Sequence, residues 1–104
     1  MGAPIREVDG FKVIVVTGVV RRVNDRLVIV SRDRDGIMTA LGYYPHEDLR
    51  EELRLGAKLS VYDPPTGMIY DVWVQKRGRV WLILAPGRFM PHEEGSVVHL
   101  YILV

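Results

Sequence analysis

A chain of 104 residues is long enough for one small domain with a modest core and too short for two. Its 14 basic and 13 acidic residues leave a net charge of +1. This small charge argues against strong binding of nucleic-acid phosphates through the overall charge of the protein. The absence of cysteine excludes disulfides, thiol chemistry and cysteine metal sites.

The apolar fraction of 48% is high for so small a domain, and we expect part of it to lie against another chain. One Asn and one Gln stand beside eleven Arg, a usage that favours a heat-adapted, archaeal source. The first ten residues lack an apolar core of signal-peptide length, and Gly or charge interrupts the longest apolar runs. We therefore expect a cytoplasmic protein.

The chain begins with a flexible lead-in followed by a long strand. Residues 1–10 hold two Gly, one Pro and mixed charge, which predicts a loose segment. Residues 11–23 are apolar on both alternating faces at first, so we expect a strand that is covered on both sides. Gly18 interrupts this strand and predicts a bulge or bend there.

Two further strands are predicted after tight turns. Asn24-Asp25 tolerates left-handed backbone and predicts a hairpin into a second strand, residues 26–32. The segment DRDG at 33–36 predicts the next turn, with Gly36 supplying a positive φ. A third strand is expected over residues 37–44, where Pro45 ends it.

One helix is expected over residues 45–55. Pro45 suits the first helical position, Leu49 and Leu53 are spaced to share a face, and Gly56 is placed to terminate the helix. About three turns with two or three leucines predict a plug for one end of a barrel. The remaining predicted elements are a strand at 57–63, a turn at 64–67, a hairpin of strands 68–76 and 79–85 about Gly78, a loop at 86–95 and a last strand at 96–104. With residues 77–78 as the hairpin loop, Val74 is expected opposite Trp81, and Trp73 opposite Leu82.

The polar side chains offer no catalytic constellation. The histidines (His46, His92, His99) lack the spacing of a metal site, and the serines (Ser31, Ser60, Ser96) lack a glycine-elbow context. No glycine loop that would cradle a phosphate is present. We therefore expect no metal, no cofactor and no enzymatic activity.

Arginines and tyrosines flank the predicted hairpins and the strands beyond them. Arginines beside stacking aromatics are the chemistry of single-stranded nucleic-acid binding. The candidate nucleic-acid-binding residues are Arg22, Arg26, Arg32, Arg34, Tyr43, Tyr62 and Tyr70. Aspartates such as Asp25 and Asp33 offset much of this charge, so solvated Arg–Asp pairs at the hairpin ends remain the alternative. For Trp73 and Trp81 we favour core packing over a binding role.

The predicted order strand-strand-strand-helix-strand is typical of the OB barrel. Three segments resemble OB-fold nucleic-acid-binding domains: VTGVV at 16–20, DRDGIMTAL at 33–41 and LRLGAKLSVY at 53–62. In that family they correspond to the bent opening strand, the turn before strand three and the helix end before strand four. The expected fold class is therefore all-β, a β-barrel with one short helix. In detail, we expect one domain over residues 11–104, an OB-like five-stranded Greek-key barrel extended by one or two C-terminal strands.

The tail is similar to the C-terminal half of the small eighth subunit of archaeal and eukaryotic RNA polymerases. It reads RGRVWLILAPGRFMPHEEGSVVHLYILV from Arg77 to Val104. In that family a glycine-led apolar strand is followed by a loop and a last strand of apolar and tyrosine-bearing character, here residues 98–101. The chain departs from the family in being short between Tyr62 and Val72, where eukaryotic members carry extra strands. The resemblance implies a barrel without catalytic residues that packs on the largest polymerase subunit.

The sequence therefore leads to two alternative hypotheses, which belong to different functional classes. The first is a structural subunit that packs on a larger subunit of a transcription complex, and it is favoured by the apolar content and the small net charge. Its candidate partner interface is Val98, Leu100 and Ile102 on the apolar last strand. The second is a free-standing single-stranded DNA- or RNA-binding protein. Homo-oligomerisation through the last strand is compatible with either.

Overall fold

The computed structural model describes residues 2–43 and 56–104. The helix predicted over 45–55, together with Tyr44 and His46, lies outside the described residues. The described elements are β1 (Arg6–Val8), β2 (Phe11–Val23), β3 (Arg26–Ser31), α1 (Arg34–Ala40), β4 (Ala57–Asp63), β5 (Met68–Arg77), β6 (Val80–Leu84) and β7 (Val97–Leu103). No helix among them is long and apolar enough to cross a membrane.

Six of the strands close an antiparallel barrel. They follow one another in the order β2-β3-β6-β5-β4-β7, and β7 pairs again with β2. β1 is an additional strand that pairs with the start of β2. The predicted all-β class with a closed barrel is confirmed, and the barrel is consistent with an OB-like type, although it has six strands where five were predicted. The described residues hold one short helix, α1, which is not the helix predicted over 45–55. The two C-terminal strands complete the barrel instead of extending it, because β6 pairs with β3 and β7 closes onto β2.

The long strand β2 closes the barrel because different parts of it pair with β7 and with β3. Its residues 13–19 pair with β7, and its residues 19–23 pair with β3. Gly18 lies where β3 approaches most closely: a Cβ there would stand 2.4 Å from Ile29 Cγ2 and 3.0 Å from the Val30 carbonyl oxygen. A side chain at this position would push β3 away, so glycine permits the close contact of the two strands.

The inward side chains of the six strands, together with Ile37 of α1, form the main apolar core. Its buried members are Ile14, Val16, Val20, Ile29, Ile37, Val61, Val72, Val74, Trp81, Ile83, Val98, Leu100 and Ile102. Burying one such aliphatic side chain contributes about 1.5–3 kcal/mol. Trp81 is only 2% exposed, which confirms its predicted place in the core.

The predicted partner interface on the last strand is wrong. Val98, Leu100 and Ile102 are buried in the core of this same chain, because β7 lies between β2 and β4 and turns every second side chain inward. They could reach a partner only if the barrel opened. The C-terminal half of β7 is also paired on both sides, so it offers no free edge to a second copy of the chain.

The predicted turn at 33–36 and the first part of the strand predicted at 37–44 are replaced by α1, and residues 41–43 that follow it are not in a strand. The Asp33 carboxylate accepts a hydrogen bond from the Gly36 N–H at 3.0 Å and so caps the helix. Ile37 and Met38 are both buried, which holds this short helix against the barrel. The sequence DRDG is therefore a helix start, not a hairpin turn.

The segment predicted as a flexible lead-in contains the strand β1. β1 pairs with β2 through Arg6↔Val13, Glu7↔Lys12 and Val8↔Phe11. Asp9 and Gly10 form the turn with φ of +51° and +85°. The next hairpin has the predicted turn, since Asn24 and Asp25 take φ of +50° and +66°.

The hairpin of β5 and β6 turns about Gly78 as predicted, but its register differs. Trp73 pairs with Leu84, and Arg77 pairs with Val80, so Gly78 and Arg79 form the loop. The predicted loop began one residue earlier, which shifts each partner by two positions. A shift of two residues leaves every side chain on its own face of the sheet.

Candidate functional site

The outer faces of β3, β6 and β5 carry a groove with a mixed apolar and basic lining. Val30, Leu82 and Gln75 are successive partners across these three strands, and Leu84 is the partner of Trp73. Their neighbours along the chain face the core, so alternation directs these side chains outward. We call this surface the Trp73 groove.

The groove opens where two strands separate. β3 and β6 pair through residues 29–31 and 81–83, and the first three residues of β3 have no partner on β6. Two adjoining cavities of about 520 and 390 Å³ lie along the opening and share Arg26, Gln75 and Leu84. Val28 and Leu82 complete an apolar floor.

Trp73 stands at one end of the groove with 49% of its surface exposed. The prediction that it packs in the core is wrong, because Val72 and Val74 on either side of it take the inward positions on β5. An exposed indole beside an apolar floor presents a flat face to a ligand. The signal was available in the alternation of β5, once Val72 and Val74 are taken as core residues.

The charged side chains that line the groove are both arginines. The Arg26 guanidinium donates to the Ala85 carbonyl oxygen, which positions it at the opening while only one of its five N–H groups is used in that bond. Arg77 donates to Gln75 Oε1 at 3.3 Å near the other end. No acidic residue is found among the described residues that line the two cavities. The groove is therefore locally basic although the chain is nearly neutral.

Of the residues predicted to bind nucleic acid, only Arg26 lines the groove. Arg22 pairs with Glu94 at 3.0 Å, and Tyr43 follows α1 with 37% of its surface exposed. Arg32 follows the end of β3, and Arg34 begins α1. None of these four residues lines either cavity of the groove.

Tyr62 and Tyr70 are held by contacts within the barrel. The Tyr62 hydroxyl donates to Asp9 Oδ2 at 2.6 Å, and this hydrogen bond is the main cause that raises the pKa of Tyr62 above its usual value of 10.0. Burial raises the pKa of Tyr70, with a further contribution from Asp63. The Tyr70 ring also contacts Phe89 edge-on at 5.4 Å. Neither ring is free to stack on a base.

The groups that could carry catalysis stay separate within the described part of the chain. No cluster of three or more His, Asp or Glu side chains forms there, so no metal site is assembled from these residues. The Ser31 hydroxyl donates to the Thr17 carbonyl oxygen, and the Ser60 hydroxyl donates to Asp71. His99 Nδ1 lies 3.0 Å from Thr17 Oγ1, both exposed on the outer face.

Comparison with models of known protein families gave no match, and no curated protein or solved structure matched significantly.

Proposed function

We propose that this chain is a non-catalytic, cytoplasmic module of nucleic-acid machinery that binds single-stranded DNA or RNA in the Trp73 groove. The observation that carries the proposal is the half-exposed Trp73 ring at the end of a groove whose charged lining residues are Arg26 and Arg77. A single strand exposes both bases and phosphates. Trp73 can stack on a base, and Arg26 and Arg77 can bind phosphates.

Stacking supplies most of the binding free energy in this arrangement. One base stacked on an aromatic side chain contributes about 1–3 kcal/mol. Two arginines bind few phosphates, so the logarithm of affinity should fall with the logarithm of salt concentration with a slope of about −1.4. Binding should therefore be weak, and only mildly sensitive to salt.

Fluorescence anisotropy with labelled oligo-dT and oligo-U at low and moderate salt tests the proposal. Trp73→Ala should weaken binding about 5- to 150-fold, which corresponds to the loss of one stacked base. Joint replacement of Arg26 and Arg77 by Gln should reduce the salt slope. Tyr43→Ala, an exposed aromatic outside the groove, is the matched control and should bind like the wild type. Equal affinity of the wild type and Trp73→Ala would overturn the proposal.

A second candidate is a structural subunit that packs on a larger subunit of an archaeal RNA polymerase. It is favoured by an exposed apolar surface, the Phe11 patch, in which Phe11 and Ile69 lie beside the buried Tyr62. The Phe11 and Tyr62 rings lie 4.7 Å apart, and Ile69 is the strand partner of Tyr62. Phe11 and Ile69 are 36% and 50% exposed. Such a grouping is typical of a protein-binding surface.

Size-exclusion chromatography with the recombinant largest polymerase subunit tests this second function. Joint replacement of Phe11 and Ile69 by Ser should abolish co-elution, because it removes the exposed apolar groups and leaves the core intact. Trp73→Ala should co-elute like the wild type. Absence of co-elution for the wild-type protein would reject the subunit function.

A further inference from the structure

The N-terminal half of β7 lacks a neighbour on one side. β4 pairs with β7 only through Val61↔Ile102 and Tyr62↔Tyr101, whereas β7 begins at Val97. Its other side is fully paired with β2 from Val97 to Leu103. The four residues 97–100 therefore form a short strand edge beside the end of β4.

Two hydrogen bonds fix the direction of the backbone groups on this edge. The Val20 N–H donates to the Ser96 carbonyl oxygen at 3.0 Å, just before the start of β7. The Val104 N–H donates to the Lys12 carbonyl oxygen at 3.1 Å, and these residues continue the β2–β7 register. Alternate residues of an antiparallel strand bond to the same neighbour. Val98, Leu100 and Ile102 therefore direct their N–H and C=O groups toward β2. Val97 and His99 direct theirs away from it, on the side where Tyr101 pairs with Tyr62.

β4 cannot supply the missing partner. If its register with β7 continued, Pro64 would lie opposite His99, and proline has no N–H to donate. The Asp63 carbonyl instead accepts from the Gly67 N–H at 2.8 Å as the chain turns into β5. Within the described residues, Val97 and His99 thus present two N–H and two C=O groups that have no backbone partner on this side.

A cavity of about 330 Å³ lies beside the edge. We call it the β7 notch, and its lining includes Tyr62, Asp63, Pro64, Tyr70, Leu100 and Tyr101. No Lys or Arg is found among the described lining residues. Asp63 is the acidic group of the notch, and its charge contributes to the raised pKa values of both neighbouring tyrosines.

We propose that the β7 notch binds an extended peptide segment of a protein partner, which adds as a strand to Val97 and His99. Backbone hydrogen bonds would hold the segment, as in other cases of strand addition to an open sheet edge. An apolar side chain of the segment fits the tyrosine- and proline-lined cavity, and a Lys or Arg beside it meets Asp63. A peptide fits this site better than a nucleic-acid strand does, because no Lys or Arg is among the described lining residues and the Asp63 carboxylate would repel a phosphate. This site is independent of the Trp73 groove.

Amide hydrogen exchange followed by NMR on the full chain tests the site, with a synthetic peptide as the probe. The peptide has seven residues of alternating valine and threonine, with lysine at the centre. In the free protein, the Val97 and His99 amides should exchange at least about tenfold faster than those of Val98 and Leu100. Saturation with the peptide should slow exchange at Val97 and His99 by about tenfold or more.

Two controls distinguish strand addition from non-specific peptide binding. A peptide N-methylated at alternate residues loses the donors on one edge and should give no protection. A peptide with glutamate in place of lysine should bind several-fold more weakly, and Asp63→Asn should abolish this preference. Protection of Val97 and His99 in the free protein would overturn the proposal, because the edge would already be occupied. Unchanged exchange at millimolar peptide would also overturn it.

Discussion

The Tyr62 hydroxyl donates a hydrogen bond of 2.6 Å to Asp9 Oδ2, and so joins β4 to the turn between β1 and β2. The Phe11 ring packs on the same tyrosine with ring centroids 4.7 Å apart. β1 is thereby attached to the barrel by a side-chain contact as well as by its pairing with β2. The two partners are 53 residues apart in the sequence.

Removing either partner of this hydrogen bond should lower stability without unfolding the barrel. We expect Tyr62→Phe and Asp9→Ala each to lower the midpoint of denaturant unfolding, since each removes one partner of the hydrogen bond. The double variant should be about as stable as the less stable of the two single variants, because both changes remove the same interaction. Hydrogen exchange should show the β1 amides opening first. Additive losses in the double variant would show that the two side chains act separately.

Stability should also fall at high pH because of this tyrosine. The Asp9 hydrogen bond raises the pKa of Tyr62 in the folded state above the unfolded value of about 10. The stabilisation is therefore fully present below about pH 10 and is lost as pH rises through the folded pKa. Guanidinium unfolding at a series of pH values from about 8 to 11 checks this. Tyr62→Phe should show a flatter decline than the wild type, and equal slopes would contradict the assignment.

The six barrel strands were predictable from the sequence, and β1 and α1 were not. Alternating apolar residues placed β2, β3, β4, β5 and β7 close to their observed bounds, because a buried face repeats every two residues along a strand. α1 has only seven residues, too few to show a helical period. Its start depends on Asp33, and an Asp before a Gly three residues later also fits a turn.

Asp33 is therefore a sensitive position for the helix. Asp33→Ala should destabilise the protein by about 0.5–2 kcal/mol, because the Gly36 N–H loses its acceptor at the helix start. Asp33→Asn keeps an acceptor oxygen and should lose much less. Denaturant unfolding measures both values. If Asp33→Asn and Asp33→Ala lost the same stability, the charge and not the cap would be the cause.

Gly18 should be the glycine that tolerates substitution least. Gly18→Ala places a methyl group 2.4 Å from Ile29 Cγ2, and we expect a loss of about 1–3 kcal/mol from this overpacking. Gly67→Ala is the control, because Gly67 has open space around it and its φ of +71° alone costs about 1–2 kcal/mol. The free energies of unfolding of both variants decide the point. A smaller loss for Gly18→Ala than for Gly67→Ala would contradict the close approach of β2 and β3.

The candidate site was predicted only in part, since Arg26 was identified and Trp73 was assigned to the core. The side chains of β5 can be assigned to the inner or outer face only after it is known whether odd- or even-numbered residues point inward. The buried Val72 and Val74 show that the even-numbered residues do. Trp73 and Trp81 look alike in the sequence, with apolar neighbours on both sides. In the sheet they lie on opposite faces. Trp73 pairs with Leu84 on the outer face, whereas Trp81 pairs with Lys76 and turns its ring into the core.

The two tryptophans should therefore respond differently to a soluble quencher and to truncation. In single-tryptophan variants, acrylamide should quench Trp73, which is 49% exposed, far more than Trp81, which is 2% exposed. Trp81→Ala should cost about 3–5 kcal/mol because it leaves a cavity in the core. Trp73→Ala should cost less than about 1 kcal/mol, since its contacts are with the surface. Equal quenching would show that the Trp73 face is covered, and a covered face could not stack on a base.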